Sequence, residues 1–202
     1  MMTEGLASAQ PARIGPNAIV CTLEAVRERI GPPAADHLLR CAELDAYRDG
    51  RPTAMVPEID VSLLYCALRA QLGEADAEAV ARDAGYKTAR YILAHRIPAP
   101  AQVALRLLPP RLSAPLLLWA IGRHTWTFAG SASVAFATGP PVRIELTGCV
   151  ICRGVVGHAA CCVYYAAAFE GLFRALVSAR AAATEIACAA QGAKGCVFEI
   201  RG

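Results

Sequence analysis

The chain has 202 residues, 55% of them hydrophobic and only 18% charged, with a net charge of +3. That length supports one compact domain with a substantial core, and its basic residues, nearly all arginine, are scattered rather than clustered, which argues against nucleic-acid binding. Nine cysteines without a recognisable secretory signal fit a reducing cytoplasm and metal or core roles rather than disulfides. The longest apolar run, residues 114–122, is about half of what a membrane span needs.

Residues 1–17 contain Gly5, Pro11, Gly15 and Pro16 with little periodicity and read as a flexible tail, leaving residues 18–202 as a single domain. Thr22 is placed to cap a helix that starts at Leu23 and ends before Gly31-Pro32-Pro33. A second helix is expected over residues 34–47, stopping at Asp49-Gly50-Arg51-Pro52. A third starts near Glu58 or Asp60 and aligns Val61, Leu64, Tyr65, Leu68 and Leu72 on one face.

Residues 75–95 form the longest helical pattern, interrupted by Gly85, which points to a kink or to close approach by another backbone or a ligand. Pro98 and Pro100 end it, and residues 105–110 lead into a helix over 113–123 with Pro115 in its first turn. Trp119 and the Leu116-Leu117-Leu118 run read as core. These elements make a helical part over residues 18–125.

From residue 126 the character changes. Gly130 opens a strand running to Ala137, Gly139-Pro140-Pro141 turns the chain, and residues 143–146 form a second strand. Tyr165, Phe169, Leu172, Phe173 and Leu176 then draw a helical stripe. After Ser178, alternation through Glu185 and Cys188, turn residues at 191–195 and the run 196–200 give a two-stranded hairpin. The fold class is α+β, with N-terminal helices packed on an antiparallel sheet of about four strands.

Cys188 and Cys196 flank the hairpin turn, so pairing brings both sulfurs to one end. A bulge in the first strand could swing Glu185 to them, and Cys162 could close a four-ligand zinc site from the helix. The same cysteines are equally readable as small buried core residues, because Cys-x7-Cys is not a standard zinc-finger spacing. Cys149-x2-Cys152 is a second candidate pair, whose partners would have to be His158 or Cys161, and reads more simply as core or loop cysteines.

Cys162, Tyr164-Tyr165, Phe169-Glu170-Gly171-Leu172, Glu185-x2-Cys188, Gly192 and Cys196-x-Phe198 together resemble the 4-vinyl-reductase-type domain family, related in fold to small subunits of transport tethering complexes. The resemblance implies a zinc-tied hairpin with Cys162, Glu185, Cys188 and Cys196 as ligands, Cys161 competing with Cys162 for the first place. The segment 120–131 and the run around Tyr164 and Glu170 are similar to the bacteriochlorophyll-biosynthesis branch, whose members are named as 4-vinyl or 8-vinyl protochlorophyllide reductases.

That branch implies a tetrapyrrole ligand. His124, between an apolar helix and the Trp126-Phe128 pair, could meet a central magnesium, while Arg123 could pair with a propionate. His124 as a cap at the helix C-terminus and Arg123 as a solvated side chain are the competing readings. No nucleotide-binding glycine loop, Walker loop or metalloprotease motif is present. The reading is therefore a zinc-stabilised, homodimeric carrier of magnesium protoporphyrin or divinyl protochlorophyllide with a cavity formed by the N-terminal helices. It is expected in the cytoplasm or peripheral to the photosynthetic membrane, in contact with pathway enzymes. The alternatives are an 8-vinyl reductase and a protein-interaction module.

Overall fold

The computed structural model describes residues 12–157 and 159–202. Most of the expected tail, residues 1–11, and His158 lie outside the described residues. Strand β1 (Arg13–Ile14) pairs with β2 (Val56–Pro57), burying Ile14.

Helix α1 (Asn17–Arg29) starts six residues earlier than Thr22 capping at Leu23 would give. Pro16 has its φ already helical, and its carbonyl accepts the N–H groups of Ile19 and Val20. Thr22 is thus buried inside the helix, its hydroxyl 2.9 Å from the Tyr65 hydroxyl. Helix α2 (Pro32–Cys41) ends short of residue 47 because Glu43 turns left-handed at φ 57°, leaving Asp45–Tyr47 as a separate single turn.

Helix α3 (Glu58–His95) is broken at Gly73, whose φ of 75° and ψ of 172° divide it where the two helical patterns meet in the sequence. Pro98 and Pro100 do not merely stop it. Pro98 precedes, and Pro100 sits within, the first turn of α4 (Ala99–Leu107), where a missing N–H is harmless. Helix α5 (Pro110–Gly122) begins at Pro110 by the same device. Pro115 consequently lies inside α5 rather than in its first turn, removing the N–H that the Arg111 carbonyl would otherwise accept.

The C-terminal part contains β3 (Ser133–Ala137), β4 (Val142–Thr147), α6 (Val163–Leu176), β5 (Ala182–Ala187) and β6 (Cys196–Arg201). The four strands form an antiparallel sheet in the order β3-β4-β6-β5. Helix α6 is the middle layer. On the sheet side Tyr165 and Phe169 put their rings 6.1 and 5.5 Å from Phe198, and on the other Tyr164 meets Tyr65 of α3 at 5.9 Å. The mixed helix and strand architecture expected from the pattern is the one found.

Gly85 is where α3 and α6 come closest. A Cβ there would run into the Tyr164 carbonyl and lie 2.7 Å from the Ala167 Cβ, neither of which can rotate away. The anticipated close approach is thus to a helix backbone. Gly85→Ala is expected to cost about 2 kcal/mol despite alanine's better helix propensity, and to lower Tm by roughly 4–8 °C. An unchanged Tm would contradict this packing.

Glu58 fastens the start of α3 to the entry into the sheet. Its carboxylate accepts the Ser131 N–H and hydroxyl, both at 2.7 Å, and the Arg153 guanidinium at 2.6 Å. Burial pushes the Glu58 carboxyl up, but the Ser131 and Arg153 bonds win and hold it below its ordinary value. A depressed folded value gives stability that is present above the unfolded pKa and lost as pH falls through the folded one. Glu58→Gln should cost about 2 kcal/mol at neutral pH, with the gap to the parent protein closing below about pH 4 in thermal melts. A constant gap would exclude the carboxylate as its source.

Candidate functional site

Six cysteines and one glutamate converge where β4, α6 and the β5–β6 hairpin meet. After β4, Gly148 at φ 84° turns the chain inward and buries Cys149 and Cys152. This loop is pinned to α3: the Ser62 hydroxyl donates to the Val150 carbonyl at 2.7 Å, and Arg69 donates to the carbonyls of Ile151 and Cys161 at 3.2 and 2.9 Å. Cys162 precedes the first turn of α6.

On the hairpin, β5 carries a bulge. Glu185 pairs with Phe198 and Ala187 with Val197, so one extra residue, Ile186, stands opposite no partner. Strict alternation would place Glu185 and Cys188 on opposite faces, and the irregularity brings them together, as the expected kink required. Cys188 leads into the turn Ala189–Gln191, Gly192 closes it at φ 87°, and Cys196 opens β6.

Two overlapping tetrads result, Cys162/Glu185/Cys188/Cys196 and Cys149/Cys152/Cys162/Cys196, each with its ligand atoms within 4.8 Å of one another. Sulfur separations are 3.4 Å for Cys149–Cys162 and Cys152–Cys196, 3.6 Å for Cys162–Cys196 and 3.9 Å for Cys188–Cys196. A tetrahedral ion with bonds of about 2.3 Å to sulfur requires roughly 3.8 Å between sulfurs. The first tetrad is the set expected from the sequence. Cys162 belongs to both, whereas half-buried Cys161 belongs to neither and lies 3.9 Å from Cys188. Cys149 and Cys152 join the cluster rather than resting as isolated core cysteines.

Glu185 shows what the geometry lacks. Its Oε2 accepts the Cys162 N–H at 2.7 Å, while its Oε1 is buried with no hydrogen-bond partner. Burial, then the neighbouring Cys188, pushes its carboxyl up to about 8, against the pull of the Cys162 N–H. Hydrogen bonding from Cys162 brings Cys188 down to about 5, and contacts with Cys149, Cys161 and Cys162 bring Cys152 down to about 5. The same neighbours push Cys162 up. Crowded thiols, an orphaned carboxylate oxygen and soft donors at tetrahedral spacing fit a thiophilic divalent cation such as zinc.

A second feature lies outside the cluster. Leu112, Leu116, Trp119 and Arg123 recur at spacings of four, three and four along α5 and its C-terminus, forming one stripe. Leu112, Leu116 and Trp119 are exposed, Trp119 by 61%, and the Arg123 guanidinium stacks over the Trp119 ring at 5.4 Å. Leu117 and Leu118 are core as expected, but Trp119 and Leu116 are not, because the buried face of α5 is taken by Ser113, Ala114, Leu117 and Leu118.

His124 is exposed just beyond α5, and Trp126 is 57% exposed in the turn Thr125–Thr127. Phe128 faces the other way. It is half-buried against Tyr165 and Phe169, and its carbonyl accepts the Tyr165 hydroxyl at 2.7 Å. The N-terminal helices spend their apolar residues on a filled core, with Tyr65, Leu64, Leu68 and Val80 buried. A depression of about 560 Å³ opens instead at the end of α3 and start of α4, beside Arg90, His95, Arg96 and Gln102. Among the described residues no helix is long and apolar enough to cross a membrane.

Residues 142–202 match the 4-vinyl-reductase-type domain. The chain is 41% identical over 188 residues to the bacteriochlorophyll synthase 23 kDa chain of Cereibacter sphaeroides, covering 93% of this chain and 90% of that one. It is 35% identical over 186 residues to the protein of that name from Rhodobacter capsulatus, covering 92% and 85%. In fold it is similar to H-NOX proteins. One, solved to probe heme distortion in that family, superposes with a TM-score of 0.58 at 12% identity over 93% of this chain and 94% of that one. Another, a Cs H-NOX variant carrying 4-cyano-L-phenylalanine, gives 0.58 at 11% identity over 93% and 96%.

Proposed function

Because the chain belongs to the family of the bacteriochlorophyll synthase 23 kDa chain and carries a 4-vinyl-reductase-type domain over residues 142–202, we propose that it holds a tetrapyrrole intermediate of bacteriochlorophyll biosynthesis and passes it between pathway enzymes. The observation that carries this reading is the exposed face of α5 and the following turn, where Trp119, Arg123, His124 and Trp126 stand next to an apolar stripe. A flat macrocycle offers aromatic faces for the two indoles, a carboxylate for the guanidinium and, with magnesium, an open position for an imidazole nitrogen. The H-NOX proteins solved to study heme distortion share this fold, which makes a porphyrin a reasonable guest for the architecture.

Zinc at Cys162, Glu185, Cys188 and Cys196 would be structural. It would tie the hairpin to the start of α6, and so hold in place the sheet against which α6 packs. Four protein donors fill a tetrahedral ion and leave no open position for chemistry. Phe128 supports the face from behind by anchoring its backbone to Tyr165. The holder would work beside a membrane or an enzyme surface without spanning it.

If His124 meets the central metal, His124→Ala should weaken magnesium protoporphyrin binding about 10-fold while changing metal-free protoporphyrin binding less than about 2-fold, read by absorbance titration. Equal losses would remove the ligand role. The alternative, an 8-vinyl reductase, needs a hydride donor held against the vinyl carbon. Ethyl product formed by this chain alone from a reduced nicotinamide or flavin would establish it.

A further inference from the structure

We infer that the cysteine cluster takes two thiophilic divalent ions rather than one, with Cys149 and Cys152 completing a second site that shares the thiolates of Cys162 and Cys196. The inference rests on the proposal of zinc at Cys162, Glu185, Cys188 and Cys196 and goes beyond it. The two tetrads are not competing descriptions of one place. Each contributes a terminal pair of its own, Cys149 and Cys152 from the loop after β4, and Glu185 and Cys188 from the bulged strand and hairpin turn. Only Cys162 and Cys196 are common, and their sulfurs lie 3.6 Å apart.

Two independent four-ligand sites would need eight donors, which this corner of the fold does not supply. Two tetrahedra that share an edge need six, and six are present at the right positions. A thiolate has lone pairs enough to bridge two cations, whereas imidazole and most carboxylate geometries do not, so the shared positions being cysteines is what the arrangement requires. The terminal pairs lie on separate sides of that shared edge: Cys149 is 3.4 Å from Cys162, Cys152 is 3.4 Å from Cys196, and Cys188 is 3.9 Å from Cys196.

The loop that carries the second pair is built and not merely nearby. The Ser62 bond to the Val150 carbonyl and the Arg69 bonds to the carbonyls of Ile151 and Cys161 hold it from α3, and Cys149, Val150, Ile151 and Cys152 are all buried. Arg69 also places a positive charge beside a donor set of five thiolates and a carboxylate, whose six negative charges exceed the four positive charges of two zinc ions. Such outer contacts orient ligands and offset residual charge.

The test is metal stoichiometry by native mass spectrometry on the full chain purified in zinc. Two ions per chain are expected, and one or none overturns the proposal. The Cys149→Ser/Cys152→Ser variant should keep one ion, and the Glu185→Gln/Cys188→Ser variant should also keep one. If the wild-type chain binds a single ion that only the first of these variants loses, the reading of zinc at Glu185 and Cys188 fails as well. A single ion lost only by the second variant leaves that reading standing and removes the second site. Should either variant not fold, cadmium-113 NMR of the wild-type chain decides. Two resonances coupled through shared sulfur are expected, and one resonance overturns the proposal.

Discussion

Replacing Cys196 by serine is expected to strip the metal from the protein and to lower its Tm by roughly 10–20 °C, about 5 kcal/mol for a chain of this size. Cys196 is fully buried, belongs to both tetrads, and lies within 3.9 Å of the sulfurs of Cys152, Cys162 and Cys188. It is also where β6 begins, so metal bound there joins the central strand pair to α6 and to the loop after β4. Serine is a poor ligand and leaves a buried hydroxyl among orphaned thiols. Metal energy in such a site is folding energy, so a chelator should bring the parent protein down toward the variant and leave the variant unmoved. Cys41→Ser and Cys66→Ser, at exposed cysteines, serve as controls and should stay within about 0.5 kcal/mol. A Cys196→Ser protein that melts with the parent would contradict a structural metal.

The second large effect concerns the pigment face. Trp119→Ala combined with Trp126→Ala should weaken magnesium protoporphyrin binding about 30-fold or more, some 2 kcal/mol, while moving Tm by no more than about 2 °C. The two expectations separate because both indoles are more than half exposed, and their contacts contribute little to the core. Arg123 loses its stacking partner in this variant and with it the orientation of its guanidinium. Leu63→Ala, an exposed leucine on α3, controls for general loss of apolar surface and should leave binding unchanged. Unaltered affinity in the double tryptophan variant would exclude this face as the binding site.

The hairpin was legible because its chemistry is local. Turn residues at 191–195 fixed the pairing, and the spacing of Glu185 and Cys188 demanded a bulge that the strand register supplies. The division of α3 was legible for the same reason: a glycine at position 73 falls between two apolar stripes. Prolines misled because the same residue can close one helix or open the next. Pro98 and Pro100 stop α3 and start α4, and moving the start of α5 to Pro110 put Pro115 inside it. Trp119 looked like core because its neighbours Leu117 and Leu118 are, and only the packing of α5 decides which side of the helix is covered.

Cys149 and Cys152 were beyond local reading. Their place in the cluster depends on β6 lying beside β4 with Leu146 opposite Cys196, a long-range register that sets the turn at Gly148 next to the hairpin. The available signal was a Cys-x2-Cys directly after a strand and a glycine turn, which carries weight only once the strand order is known.

The pigment-holding claim is tested most directly by titrating the zinc-loaded chain with divinyl magnesium protoporphyrin, following pigment absorbance and tryptophan emission together and then adding a reduced nicotinamide. The account predicts a saturable absorbance shift, parallel quenching of the indoles and pigment recovered with both vinyl groups intact. Absence of saturable binding would contradict it, and so would an ethyl product formed with turnover.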